Sequence, residues 1–267
     1  MRELNISLEG MIDTHIHPGP DIVPRLLDDI EVARQAQVEG MEAIVIKNHV
    51  EPTTSRARIA SKVTGLKVIG GVTLNETIGG LNPSAVEASA KIGGRFVWMP
   101  TISREKADLS NIGEVLDIIA EHDLVLATGH LKPYEILEVI DLARSAGIRR
   151  ILVNHPLTRI VGASLEEQKE MSRYSFLEHC IVACFHEQLP PARIIEAIEY
   201  VGYKKCIIAT DLGQEHNPSP VDGLKWFIRF LIQGGLKEKH VNWMCSSAPR
   251  RLIFERHKRL QKHTIFL

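Results

Sequence analysis

Residues 11–17 read Met11-Ile12-Asp13-Thr14-His15-Ile16-His17. This run is short and apolar enough for a buried strand, and it closes on two histidines. In a strand, residues i and i+2 point to the same face, about 6.6 Å apart. His15 and His17 are therefore expected to face one side together, with Asp13 a step deeper on the same face, placed to orient a histidine from behind. Seven further runs of this kind follow: Ala43–His49, Lys67–Leu74, Phe96–Thr101, Leu124–Thr128, Ile151–His155, Ile181–His186 and Cys206–Asp211. Near-continuous apolar runs suit parallel strands covered on both faces.

Helix punctuation fills the gaps between these runs. Asp28 with Glu31, and Ser164 with Glu167, have the spacing of capping boxes. Asn82-Pro83 reads as an N-cap and first helical residue, and Pro133 and Pro191 can open helices in the same way. Gly40, Gly65, Gly93, Gly147, Gly202 and Gly234 stand where helices end and a positive φ is needed. Eight strand–helix units at steps of roughly 25–32 residues predict an α/β protein, a single (β/α)8 TIM barrel over residues 1–267. An open doubly wound sheet is the rival, and no GxGxxG follows the first strand to favour it.

Composition agrees with a globular enzyme-sized domain. The chain has 267 residues, of which 44% are hydrophobic and 24% charged, with a net charge of -1. That charge gives no electrostatic case for nucleic acid. The basic stretch from Arg250 to Lys262 is read as a solvated final helix. Cys180, Cys184, Cys206 and Cys245 form no CxxC pair, which argues against a zinc ribbon or redox motif. The opening MRELNISLEG has no cationic region followed by an apolar stretch, and no run is long enough to cross a bilayer. The expectation is a cytoplasmic protein with reduced thiols, acting on a small molecule without nucleic acid or membrane partners. Apolar helix faces would look alike in a monomer and a homo-oligomer.

In such barrels chemistry gathers at the C-terminal ends of the strands, and here those ends are polar. Besides His15 and His17 there are Lys47 and His49 on the second strand, His130 after the fifth, His155 on the sixth, His186 on the seventh and Asp211 on the eighth. Any one of these histidines alone is more often a hydrogen-bonded structural residue than a ligand. Together they form a convergent cluster that predicts a divalent metal site. Imidazole with carboxylate suits zinc first, and also manganese, iron or nickel. Around it, Arg25, His49, Glu76, His186 and Gln214 are candidate substrate contacts. Arg25 is read as a clamp for anions, and Lys47 as a partner of Asp211 or of a substrate anion. His122, His179, His240, His257 and His263 are read as structural or solvated residues in or beside helices.

The HxH of the first strand, single histidines after strands five and six and an aspartate on strand eight resemble the amidohydrolase superfamily, from Asp13-Thr14-His15-Ile16-His17 to Thr210-Asp211. The stretch Ala248-Pro249-Arg250-Arg251-Leu252 is similar to the segment that opens the last helix there. The resemblance implies a (β/α)8 barrel with one or two metals at its mouth. It implies His15, His17, His130 and His155 as ligands or near-ligands, and Asp211 as ligand and proton acceptor. Two-metal members bring a carboxylated lysine or a glutamate from strand four, whereas this chain has Phe96-Val97-Trp98-Met99-Pro100-Thr101. One metal is therefore favoured over two, with Lys47 the only candidate bridge. The expected activity is metal-dependent hydrolysis of an amide, cyclic amide or ester, with Asp211, Lys47 and His155 in catalytic roles. Decarboxylation of a small carboxylic acid, with Lys47 and Arg25 as clamps, is the alternative, followed by phosphoester hydrolysis and by a metal-binding barrel without turnover.

Overall fold

The computed structural model describes residues 5–102, 109 and 112–255. The basic stretch beyond residue 255, with His257 and His263, lies outside the described residues. Nine strands lie among those described: β1 (Ile12–Ile16), β2 (Ala43–Ile46), β3 (Lys67–Ile69), β4 (Gly71–Thr73), β5 (Phe96–Trp98), β6 (Val125–Ala127), β7 (Ile151–Asn154), β8 (Phe176–Cys180) and β9 (Cys206–Ala209). β3 and β4 are one stave interrupted at Gly70, so the strands make the eight staves of the expected barrel.

All neighbouring strands run parallel, β1-β2-β3 in one sheet and β4 through β9 in the other. The barrel closes where β9 meets β1. Ile16 bridges Leu212, Asp211 N–H donates to the His15 carbonyl at 2.8 Å, and His17 N–H donates to the Leu212 carbonyl at 2.8 Å. The closing contact is thus made by the residues that carry the candidate ligands.

Helices cover the outside: α1 (Asp29–Val38), α2 (Thr54–Thr64), α3 (Pro83–Ile92), α4 (Ile112–Glu121), α5 (Pro133–Ser145), α6 (Leu165–Met171), α7 (Val182–His186), α8 (Pro191–Val201), α9 (Pro220–Gln233), α10 (Glu238–Asn242) and α11 (Ala248–Phe254). The expected caps are present. Asp28 accepts from Ile30 and Glu31 N–H, with Glu31 completing the box; Asn82 caps α3, and Ser164 with Glu167 caps α6. One expected glycine is displaced. Gly234 has φ −76°, and the left-handed residue is Gly235 at φ 107°.

Two apolar layers hold the assembly. Outward-facing strand residues such as Ile44, Val97 and Val153 pack with the helices. Inward-facing Ile12, Val45, Trp98, Ala127 and Leu152 fill the barrel, where Ala248, Leu252 and Ile253 of α11 join them. Buried Arg150 ties that helix down by pairing with Asp123 and donating to the carbonyls of Leu252 and Glu255. No helix among the described residues is long and apolar enough to cross a membrane.

The seventh strand is where the structure departs from expectation. It is Phe176–Cys180, and the apolar run Ile181–His186 is the short helix α7. The strand was masked by its chemistry: Glu178 and His179 are polar, yet both are buried. His186 therefore closes a helix and not a strand, and His179 lies within a strand.

Candidate metal centre

β1 is not a regular strand. Asp13 pairs with Ile44 and Ile16 with Ile46, so three steps on β1 meet two on β2. One extra residue in a strand breaks the alternation of its side chains. Thr14 and His15 consequently both reach the interior carboxylate of Glu178. Asp13 does not stand behind a ligand ring as simple alternation predicts. Its carboxylate accepts from Thr210 Oγ1 at 2.6 Å and from the backbone N–H of Thr210 and His15 at 3.1 Å, bracing β1 against β9. Burial pushes its pKa up to about 7.

At the mouth, His15 Nε2 and His17 Nε2 stand 3.2 Å apart. Asp211 Oδ1 is 3.3 Å from the first and 3.1 Å from the second. Ligand atoms on four-coordinate zinc with bonds of 2.0–2.1 Å are roughly 3.3 Å from each other, so the three donors already have the spacing of such a shell. The donors also have suitable charge states. Burial holds His17 down at about 3, His130 at about 2 and His155 at about 4. The rings are thus neutral near pH 7, the form that ligates metal. Burial alone would raise Asp211, but its close contacts with His15 and His17 hold its carboxyl well below the usual range. Three donors within mutual reach, one anionic, fit a divalent ion.

The other histidines gather around this trio. His155 lies 5.8 Å from His15 and 5.0 Å from His130 between ring centroids, and His49 stacks on His17 at 4.7 Å. His130 and His155 stand beside the tight trio of His15, His17 and Asp211, not within it. His17 Nδ1 and His130 Nδ1 are buried without a hydrogen-bond partner. Of the four non-glycine residues held at positive φ among the described residues, two belong to the site: His155 at φ 27° and Asp211 at φ 56°. Such conformations persist where surrounding structure enforces them, as at functional sites. The carbonyl-tight approach of the loops helps. At Gly213, φ 140°, a Cβ would stand 1.9 Å from the His17 carbonyl oxygen; at Gly129, just before His130, it would stand 2.2 Å from that of Met99.

A cavity of about 200 Å³ opens over the site. His17, His49, His130, His155 and Asp211 line its floor side, with Arg25, His186 and Gln214 also on its wall. His49 Nδ1 is 2.7 Å from Thr101 Oγ1, which orients the ring. Gln214 spans Asp211 O at 3.0 Å and Asn217 at 2.7 Å, and Asn217 Nδ2 donates to His186 Nε2 at 2.9 Å. Arg25 is not a waiting anion clamp. Its Nε and Nη2 both donate to Asp21 Oδ2, at 2.9 and 2.6 Å. Glu76 is exposed in a 3-10 turn (Glu76–Ile78) and does not line the cavity.

Lys47 is fully buried, with Nζ 3.2 Å from His15 Nε2 and 5.8 Å from the Trp98 ring centroid. Burial lowers its pKa, opposed by Asp211 and Glu178. It sits inside the barrel beside the donors, not on the cavity wall.

The residue that sequence reasoning missed is Glu178. Its carboxylate, buried on β8, lies 2.8 Å from His15 Nδ1 and accepts from Asn154 Nδ2 at 2.7 Å and from Thr14 Oγ1. Burial opposes its ionisation, but these partners outweigh it and keep its pKa low. The signal available in the sequence was a carboxylate flanked by apolar residues in Phe176-Leu177-Glu178-His179-Cys180, which a search for apolar runs passes over.

A sequence model of one family matches residues 10–112 and 104–178; it is described as a family of unknown function, DUF6282. The chain belongs to this family. No curated protein matches it in sequence. Among solved structures, this DUF6282 barrel is similar to an organophosphorus hydrolase from Deinococcus radiodurans, at 14% identity and a TM-score of 0.64, covering 92% of this chain and 93% of that one. It is similar to a lactonase from Listeria monocytogenes, at 17% identity and a TM-score of 0.67, covering 94% and 97%. It also resembles an organophosphate hydrolase engineered from a weak promiscuous lactonase, at 12% identity and a TM-score of 0.65, covering 92% and 96%. These likenesses span the whole barrel and show the TIM-barrel fold that the eight strand–helix units predicted.

Proposed function

We propose that this DUF6282 barrel is a metal-dependent hydrolase that cleaves an ester, cyclic ester or amide of a small polar molecule. The observation that carries the reading is the approach of His15 Nε2, His17 Nε2 and Asp211 Oδ1 to within 3.1–3.3 Å of one another beneath an open cavity. The similar barrels named as lactonase and organophosphorus hydrolase support it. His15, His17 and Asp211 would hold the ion, and His130 and His155 would complete the shell or face the substrate. Zinc suits the nitrogen-rich donor set best. An ion held there supplies Lewis acidity, acidifying water and polarising a carbonyl or phosphoryl oxygen.

The chain's own groups do the rest. Asp211 is ionised and reaches the cavity, so it can accept a proton from the attacking water. His155 is neutral, and its Nδ1 is 3.1 Å from Thr158 Oγ1, which fixes the ring while it lines the cavity as a proton carrier for the leaving group. Lys47 packs its buried Nζ 3.2 Å from His15 Nε2 and helps to fix that ring beneath the donors. The decarboxylase alternative loses its support, because Arg25 is already paired with Asp21 and Lys47 lies inside the barrel. Four free cysteines suit a reducing compartment, and we place the reaction in the cytoplasm.

Elemental analysis of protein purified without chelator tests the centre. About one equivalent of metal is expected, absent when His15→Ala and His17→Ala are combined. A panel of lactones, esters, amides and phosphotriesters tests the chemistry, with Asp211→Asn lowering turnover at least a hundredfold. Metal-loaded protein that turns over none of these four classes overturns the hydrolase reading.

A further inference from the structure

Three strands meet at Glu178. β8 supplies the carboxylate, β1 supplies Thr14 and His15, and β7 supplies Asn154. The extra residue in β1 is what lets two consecutive side chains reach the same carboxylate. Asn154 extends the network: its Oδ1 accepts from Gly129 N–H at 2.9 Å, next to His130. Glu178 is fully buried and does not line the cavity, so it cannot touch a substrate there.

We propose that Glu178 is a positioning residue of the site: its carboxylate holds a proton on His15 Nδ1 and so presents Nε2 to His17 and Asp211. The inference rests on the metal-centre reading for its consequence, but the proton on Nδ1 is a property of the chain alone. An ionised carboxylate only accepts hydrogen bonds. Placed 2.8 Å from Nδ1, it requires that nitrogen to donate. The opposite nitrogen, Nε2, is the one within 3.3 Å of Asp211 and 3.2 Å of His17. A carboxylate behind a ligand histidine also raises the basicity of the ring and fixes its plane. Thr14 and Asn154 donate to the same carboxylate, which keeps it charged and immobile.

The same neighbourhood offers a rival reading. His15, Glu178 and Cys180 have donor atoms within 4.8 Å of one another and could be taken for a second metal site. Geometry speaks against it. Glu178 already receives three hydrogen bonds, His15 Nδ1 is spent on it, and Cys180 Sγ is 3.9 Å from that nitrogen. Burial also keeps the Cys180 thiol protonated.

The test uses the whole chain labelled with 15N-histidine, with His15→Gln to assign the His15 resonances, together with a zinc titration against a chromophoric chelator. In the wild type His15 Nδ1 carries a proton. In Glu178→Gln that proton is lost or shared with Nε2, and the zinc dissociation constant rises 10–100-fold. Thr14→Val removes one donor at constant volume and gives a smaller rise of the same sign, and it carries the test should Glu178→Gln fail to fold. A His15 Nδ1 without a proton in the wild type overturns the inference. So does a folded Glu178→Gln or Thr14→Val with zinc affinity within twofold of wild type, since that is the result of a purely structural role. If the wild type binds no zinc at all, the metal-centre reading fails, and the Nδ1 proton by itself still decides whether Glu178 orients His15.

Discussion

His179 shows how much one buried ring can weigh. It stands on β8 next to Glu178 in sequence, and neither ring nitrogen has a hydrogen-bond partner. Burial lowers its pKa to about 4 from an ordinary 6.5. For a base whose folded pKa is depressed, the unfolded chain binds the proton first as pH falls. The neutral ring's contribution is therefore intact above pH 6.5 and is lost as pH falls towards about 4. A shift of this size is worth roughly 3 kcal/mol. His179→Leu should flatten the acid limb of the stability curve between pH 6.5 and 4 relative to wild type. Urea unfolding at half-unit pH steps measures it; curves that stay parallel across that window would contradict a neutral His179. The nearby backbone strain, with His155 and Asp211 in left-handed conformations, belongs to the same scale, because each sits where a strand must turn sharply to present its side chain.

Loops and caps separate stability from site geometry. Gly213 follows β9 in the closing loop and presses on the backbone of His17. Gly213→Ala would bring a methyl group against the His17 carbonyl and place an L side chain at φ 140°. A loss of about 2–3 kcal/mol is expected by analogy with strained backbone positions, accompanied by weaker metal binding because His17 must move. Asp28 offers the contrast. It caps α1 by accepting from two backbone N–H groups at 2.7 and 2.8 Å, on the outside of the barrel. Asp28→Ala should cost about 1 kcal/mol and leave zinc affinity unchanged. Chemical denaturation paired with zinc titration of both variants distinguishes the two effects; equal zinc affinity in Gly213→Ala would show that the loop does not set the position of His17.

Across the whole molecule, the site and the closure of the barrel are one device. His15 and His17 come from the first stave and its end, Asp211 follows the last, and the backbone bonds of β1 to the residues after β9 run through the same positions. An ion shared by these residues ties the first stave to the eighth. Metal at a hundred times its dissociation constant should therefore add about 2.7 kcal/mol to stability. Calorimetry with zinc and then with excess chelator checks this, and a transition temperature indifferent to both would exclude a site shared across the closure. Mass action also predicts that Asp211→Asn, with weakened binding, shows a smaller zinc-dependent shift than Asp28→Ala.

The eight-stave order, the caps at Asp28, Asn82 and Ser164, and the gathering of His15, His17, His130, His155 and Asp211 at the strand ends were legible because each rests on local rules: apolar runs, capping spacings and the position of polar residues at strand ends. The parts that were not legible depend on partners far along the chain. The extra residue in β1 exists only in its register with β2, so alternation assigned to Asp13 a place that it does not occupy. Arg25 reads as a free cation until the loop brings Asp21 onto it. Glu178 interrupts its apolar stretch and went unread, and β8 was sought five residues too late. Thr14, His15 and Asn154, from 24 to 164 positions away, make that buried carboxylate tolerable. Sequence alone determined the barrel and the residues at its mouth, since short-range patterning dictates both. Which of them converge, and which carboxylate stands behind them, was decided only by closing the barrel, because a buried charge is stabilised by partners that folding brings together.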